Sequence, residues 1–298
     1  MFKGAFCICS LPNQEVFLIA GNILLVLSSQ GYQKPNLGKR VLGPQLFQLK
    51  PEGYLIFGDP NKSGGFQNML QRYAVYKFAK TPSEMVDVCE QLFKEDIDRS
   101  QKTIKRTRRA IIFDRWVIQS QDDPSLGEVA NWCQKAGLKI YSSYPYSIPS
   151  LFGDSFLHLN MCDPFTFTNL FALPELTWMM QTEEDKSTMV RYNDLLAGSN
   201  EKLQNLASMM ANCNKNTIVD KDNFRAVAKD LESELLSVDF ISPLKEKLKV
   251  FLDEAVGLID AVDSGDLNAV KNAITGSSVL FTGAVGIRHA DFIAYKGK

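Results

Sequence analysis

Between residues 50 and 150 the hydrophobic and polar positions fall into a strand, helix, strand order. Tyr54-Leu55-Ile56-Phe57 is a short apolar and aromatic run held between two turn signals, Lys50-Pro51-Glu52-Gly53 and Gly58-Asp59-Pro60-Asn61, which predicts a buried strand. After Gly64 and Gly65, the spacing of Phe66, Met69, Leu70, Tyr73 and Val75 gathers apolar groups on one side of a helix. Thr81-Pro82-Ser83-Glu84 then supplies a capping hydroxyl, a proline suited to a first helical turn and a glutamate that can reach back, so a helix through Phe93 follows. Ala110 to Val117 fits either a strand or a buried turn of helix. Ser125 and Glu128 form a second capping box, ahead of a stripe of Val129, Trp132, Cys133 and Ala136, and Gly137 provides a left-handed stop. Leu138 to Tyr144 alternates as a strand. A helix that returns at once to a strand is the back half of a βαβ unit, which predicts a mostly parallel sheet.

The flanks are less regular. Val16 to Leu27 is the longest apolar run, interrupted by Asn22, and falls short of the roughly 20 residues a membrane span needs. Pro12, Asn13, Gln14 and Glu15 separate it from Lys3, against a secretory signal. It reads as a buried strand or a short core helix, preceded by a second apolar stretch, Ala5 to Leu11. Residues 28–48 hold three glycines and two prolines without a period and read as loop. Residues 151–175 form an irregular apolar stretch expected to pack over the sheet. From Glu183 to Ile274 the pattern predicts four helices, about 183–213, 220–238, 243–261 and 264–275, packed on one another and on the sheet.

Composition adds exclusions. The 298 residues are 45% hydrophobic and 22% charged, an ordinary globular balance. Lysine and arginine total 33 against 34 acids, so no global charge draws the chain to nucleic acid or an anionic membrane. Six cysteines without a CxxC pair speak against a disulfide scaffold or zinc site and fit a reducing cytoplasm. The two histidines, His158 and His289, leave a metal site or histidine-based nucleophile little to work with. Residues 99–109 carry six basic side chains, Arg99, Lys102, Lys105, Arg106, Arg108 and Arg109, and no acid. They read either as a phosphate or nucleic-acid patch or as a solvated helix face balanced by Glu90, Glu95, Asp96 and Asp98. The absence of interleaved aromatics favours the second. Ligands of parallel sheets bind at the carboxyl ends of strands, which makes Asp59, Asn61 and Lys62 the first candidates for a substrate pocket. Asp114 and Trp116, polar groups in an apolar setting, come next, with an internal Asp–Arg pair as the plainer account, and His289 beside the last strand completes the set.

The stretch LKPEGYLIFGDPNKSGGFQNMLQR, its capped helix and then EVANWCQKAGLKIYSSYP resemble the C-terminal part of a class I S-adenosylmethionine-dependent methyltransferase. In that family a "LKPGG" turn leads into the fifth strand and a "W…AGL" helix into the sixth. The chain's end, SSVLFTGAVGIRHADFIAYKGK, is similar to the family's long last strand, which runs antiparallel to its neighbours. The resemblance covers 53–150 and about 276–298, some 40% of the chain. It implies an incomplete Rossmann-like, mostly parallel α/β sheet with an all-helical insert before the last strand, divided as 1–150, 151–275 and 276–298. It also implies S-adenosyl-L-methionine as cofactor, methyl transfer to a small-molecule acceptor, and an insert that lids the acceptor site or forms a homodimer surface. Phe2 to Leu11 would take the place of the fourth strand. The sequence departs from the family in having no GxGxG loop and only about 50 residues ahead of Lys50-Pro51, so the chain reads as a truncated, frame-shifted or half-fold member. A non-enzymatic interaction module, using the helical insert and residues 99–109, is the rival reading.

Overall fold

The computed structural model of the chain describes residues 6–10, 16–20, 23–27, 49, 51–103, 105–117, 123–144, 172–181, 199–211, 219–237, 242–282 and 289–297. Most of these are helical, and the strands form one six-stranded sheet. Its strands are β1 (Phe6–Ser10), β2 (Val16–Ala20), β3 (Ile23–Leu27), β4 (Tyr54–Pro60), β5 (Leu138–Tyr144) and β6 (His289–Lys296), in the spatial order β1-β2-β3-β4-β6-β5.

The expected Rossmann-like, mostly parallel sheet does not form. Only β3 and β4 pair in parallel; β1–β2, β2–β3, β4–β6 and β5–β6 are all antiparallel ladders. A helix does hand over to β5 at Gly137, but the pair is not the back half of a βαβ unit with β4, because β5 does not return beside β4. The terminal strand β6 lies between them, antiparallel to both, with Leu55 opposite Ala294 on one side and Ile140 opposite Ala294 on the other. The apolar run Val16 to Leu27 is two strands that pair with each other rather than one element. Gly21-Asn22, which separates them in sequence, is a dipeptide suited to a two-residue hairpin. The place beside β4 that Phe2 to Leu11 was expected to fill is taken by β3, while β1 pairs with β2.

Helices follow the capping chemistry closely. α1 (Phe66–Phe78) begins beyond Gly65, and α2 (Pro82–Leu92) opens on a complete capping box between Thr81 and Glu84. α3 (Lys94–Thr103) and α4 (Arg108–Ile112) come next, and α4 runs on as a π turn, Phe113–Val117. Ala110 to Val117 is therefore helical. α5 (Leu126–Lys135) has the second capping box, Ser125 with Glu128, and Gly137 follows it at φ 67°, a conformation glycine reaches without strain. α6 (Ala172–Met179), α7 (Asn200–Ala211), α8 (Lys221–Ser237), α9 (Ser242–Ser264) and α10 (Leu267–Thr275) make up the described part of the insert. Residues 28–48, 151–171, with His158, and 182–198 lie outside the described residues.

Two hydrophobic cores result. The smaller joins Leu55 of β4 and Phe292 and Ala294 of β6 to Leu126, Val129 and Cys133 of α5, with Trp178 of α6 against them. The larger unites α1 to α4 with α7 to α10: Phe66 sits between Phe224 and Phe251, ring centroids 6.5 and 5.9 Å apart. The insert thus packs on the helices of 66–117, and only α6 reaches the sheet-side core. The segment ahead of β6 is anchored by Glu254 of α9, whose carboxylate accepts the backbone N–H groups of Ser278 (2.6 Å), Val279 (3.1 Å) and Leu280 (2.7 Å). Phe281 N–H then donates to Gln67 of α1 at 2.8 Å.

Candidate functional site

The carboxyl end of β4 runs into a buried polar cluster. Asp59, Asn61, Lys62 and Ser63 are all buried, Asn61 and Ser63 at 0% exposure. A strand that ends in Asp-Pro-Asn cannot continue its ladder, so the chain turns there and aims short polar side chains inward. Asn61 takes up three partners: its amide donates to the Pro124 carbonyl (3.3 Å) and to Glu175 Oε1 (3.2 Å), and its carbonyl accepts from Gly64 N–H (2.9 Å). Lys62 N–H donates to the Pro124 carbonyl at 3.1 Å. Its ammonium meets Glu128 Oε2 at 3.0 Å, the same oxygen that accepts Ser125 N–H at 2.8 Å. The capping box of α5 therefore also docks α5 onto the end of β4.

Glu175 comes from α6 and is 1% exposed. Its Oε1 accepts the Leu126 N–H at 2.6 Å as well as the Asn61 amide. Burial pushes its carboxyl above the ordinary range, while Ser63, Leu126 N–H, Asn61 and Gln204 beside it favour the charged form. Oε2 of Glu175, Oγ of Ser63 and Oε1 of Gln204 nevertheless reach no partner within hydrogen-bond geometry, nor does Oδ1 of Asn200, one turn before Gln204 on α7. Burial of an unpartnered carboxylate oxygen beside these groups favours the protonated form of Glu175, which supplies one donor.

The first turns of α1 line the next wall with polar groups, a pattern that the apolar stripe of this helix concealed. Gln67 donates to Met179 O at 3.0 Å, and Asn68 donates to Arg115 O at 3.2 Å. Gln71 bridges Asp96 (3.3 Å) and the Trp116 indole N–H (2.9 Å). Arg72 is 4% exposed, and its Nε donates to Arg115 O at 2.6 Å. That carbonyl lies in the π turn, the kind of helical irregularity that often marks a site. Burial lowers the Arg72 pKa, with Tyr76, Asp123 and Asp114 acting against it. Its Nη2 has no partner.

The structure brings together Asp59, Asn61 and Lys62, as expected from their place after the strand. His289 pairs across the ladder with Pro60, which puts its backbone next to this cluster. Trp116 is fully buried, stacked on Phe93 at 5.0 Å, and Asp114 pairs with Arg106 at 2.8 Å. Arg115 turns instead to Ser100 Oγ (3.0 Å). Sequence reasoning missed Ser63, Arg72, Asp123 and Glu175. A polar residue inside a helix's apolar stretch is the signal that could have raised Arg72 and Glu175.

Three of the six basic side chains of residues 99–109 pair with acids. Arg108 holds Glu90 at 2.6 Å and also Asp98, Arg99 pairs with Asp96, and Arg109 lies over the Phe113 ring at 4.9 Å. Among the described residues no group of histidine, cysteine or acidic side chains could hold a metal ion, and no helix is long and apolar enough to cross a membrane. Cys89 and Cys133 are buried thiols, the latter raised by burial to about 12, and are inert as nucleophiles. Gly58 opens no approach to a ligand, since a Cβ there would lie 2.5 Å from Asp291 of β6. Comparison of the chain with models of protein families, with curated proteins and with solved structures finds no match.

Proposed function

We propose that this chain is the acceptor-binding part of a methyltransferase of the S-adenosylmethionine-dependent kind, which takes a small polar molecule at the carboxyl end of β4. The observation that carries this reading is the order β4-β6-β5, in which the last strand of the chain enters antiparallel between two strands that run the same way. The resemblance implied a last strand antiparallel to its neighbours, and β6 is antiparallel to both of its own. A second support is that α6 and α7 of the insert deliver Glu175 and Gln204 to the cluster, as a segment that chooses the acceptor should.

Class I enzymes work chiefly by holding acceptor and methyl donor in line, since the donor carries its own reactive methyl. Gly58, closed by Asp291, offers the donor no backbone approach. What the chain's own groups can do is hold an acceptor through Arg72 Nη2 and exchange a proton at Glu175 Oε2. The rival interaction-module reading is weakened, because Arg99, Arg106 and Arg108 of the basic stretch pair with Asp96, Asp114, Glu90 and Asp98. Calorimetric titration of the folded chain with S-adenosylhomocysteine tests the assignment. The expected result is no saturable heat; binding in the micromolar range would establish a donor pocket and overturn the restriction to the acceptor side.

A further inference from the structure

We infer that Arg72 anchors a monoanion site, so that the small molecule taken at the end of β4 carries a carboxylate. A guanidinium has five N–H donors in a rigid fork, and burying it without a counter-charge is costly. Arg72 is 4% exposed, yet its one hydrogen bond is from Nε to a neutral carbonyl, Arg115 O, at 2.6 Å. Its Nη2 is buried without a partner, and none of the ion pairs among the described residues includes it. The carboxylates that face it are Asp123 and Asp114, which act on it at range. Asp114 is committed to Arg106 at 2.8 Å.

The unpartnered Nη2 suits a carboxylate oxygen, the kind of acceptor a guanidinium binds best. A dianion such as phosphate fits less well. Lys62, the other buried cation of the cluster, is neutralised by Glu128 at 3.0 Å, and the acids Asp59 and Asp123 stand at the same end of the strand. Arg72 is the cation of this region that no ion pair among the described residues takes up, so its complement is a single negative charge. The site stands on the surroundings of Arg72; that its anion is a methyl acceptor rests on the reading above.

Benzoate is a suitable probe, with benzamide as its neutral isostere and inorganic phosphate as the dianion, each titrated against the full chain by thermal shift and calorimetry. Benzoate is expected to bind saturably in the millimolar range, with benzamide and phosphate roughly tenfold weaker or worse. The variant Arg72→Gln keeps a donor for Arg115 O and should lose the benzoate response while melting no lower than the parent, since it removes an uncompensated charge. Equal binding of benzamide, or a benzoate response that survives Arg72→Gln, overturns the inference. A lowered melting temperature in Arg72→Gln also overturns it, because that would make the guanidinium a structural partner. Should Arg72→Gln fail to fold, Arg72→Lys decides: the charge without the fork should weaken benzoate by roughly tenfold, and an unchanged response counts against the site. Exchange of the Phe292 and Ala294 amides, which reads the strand order behind the methyltransferase reading, is independent of this titration, so failure of the anion site and failure of that reading are told apart.

Discussion

At the scale of single residues, the cluster after β4 is held by short polar side chains whose partners come from far along the chain. Asn61 is its hub, and Asn61→Ala removes bonds to Pro124, Glu175 and Gly64 while leaving their buried groups unpaired. The expected cost is about 2–4 kcal/mol, readable as a lower denaturation midpoint at unchanged slope in urea. Glu175 makes the opposite prediction. Its folded pKa is raised above the ordinary 4.5, so the folded state binds the extra proton and stability is greatest below that value. As pH rises through the folded pKa that stability is lost. Glu175→Gln keeps the acceptor for Asn61 and Leu126 and gives Ser63 and Gln204 a donor. It should therefore raise the melting temperature at neutral pH by a few degrees and flatten its decline above pH 4.5, measured by thermal melts in a pH series. A variant that melts lower at every pH would show that the carboxylate is charged and paired.

Among elements, helix ends obeyed their sequence and sheet partners did not. Both capping boxes form where Thr81 with Glu84 and Ser125 with Glu128 are spaced for them, because a cap is closed by residues a single turn apart. The basic stretch behaves as a solvated face tied to α2 and α3. Truncating Arg108, which is about a third exposed and binds Glu90 and Asp98, should cost on the order of 1 kcal/mol or less and fade as salt rises. If the same change abolished a salt-dependent retention of DNA or RNA by the parent chain, residues 99–109 would be a nucleic-acid surface after all. The position of β6 is open to hydrogen exchange. A strand paired on both sides should hold the amides of Phe292 and Ala294 among the slowest of the sheet, and fast exchange there would remove the main support for the proposed lineage.

For the whole molecule, the larger core joins helices from 66–117 to helices from 200–275, so these should unfold together. Phe66, in contact with Phe224 and Phe251, is the joint, and Phe66→Ala is expected to cost about 3–5 kcal/mol and to shift a single transition seen alike by far-ultraviolet circular dichroism and tryptophan fluorescence. Two separate transitions would mean that the insert is an independent unit. The sequence by itself determined the elements whose cause is local: the strand at Tyr54, the capped helices, the left-handed stop at Gly137, the amphipathic helices of the insert, and the polar triplet Asp59, Asn61 and Lys62 at a strand end. Periodicity and capping act over a few residues, so they are written where they act. Only the tertiary structure decided which strands pair, because a ladder is chosen by contacts such as Leu55 with Ala294 that join distant parts of the chain. The same holds for the site. Arg72 reads as one more charge on an amphipathic helix and Glu175 as one acid in an apolar stretch; burial beside Arg115 and beside Asn61 is what removes their water and gives them chemistry.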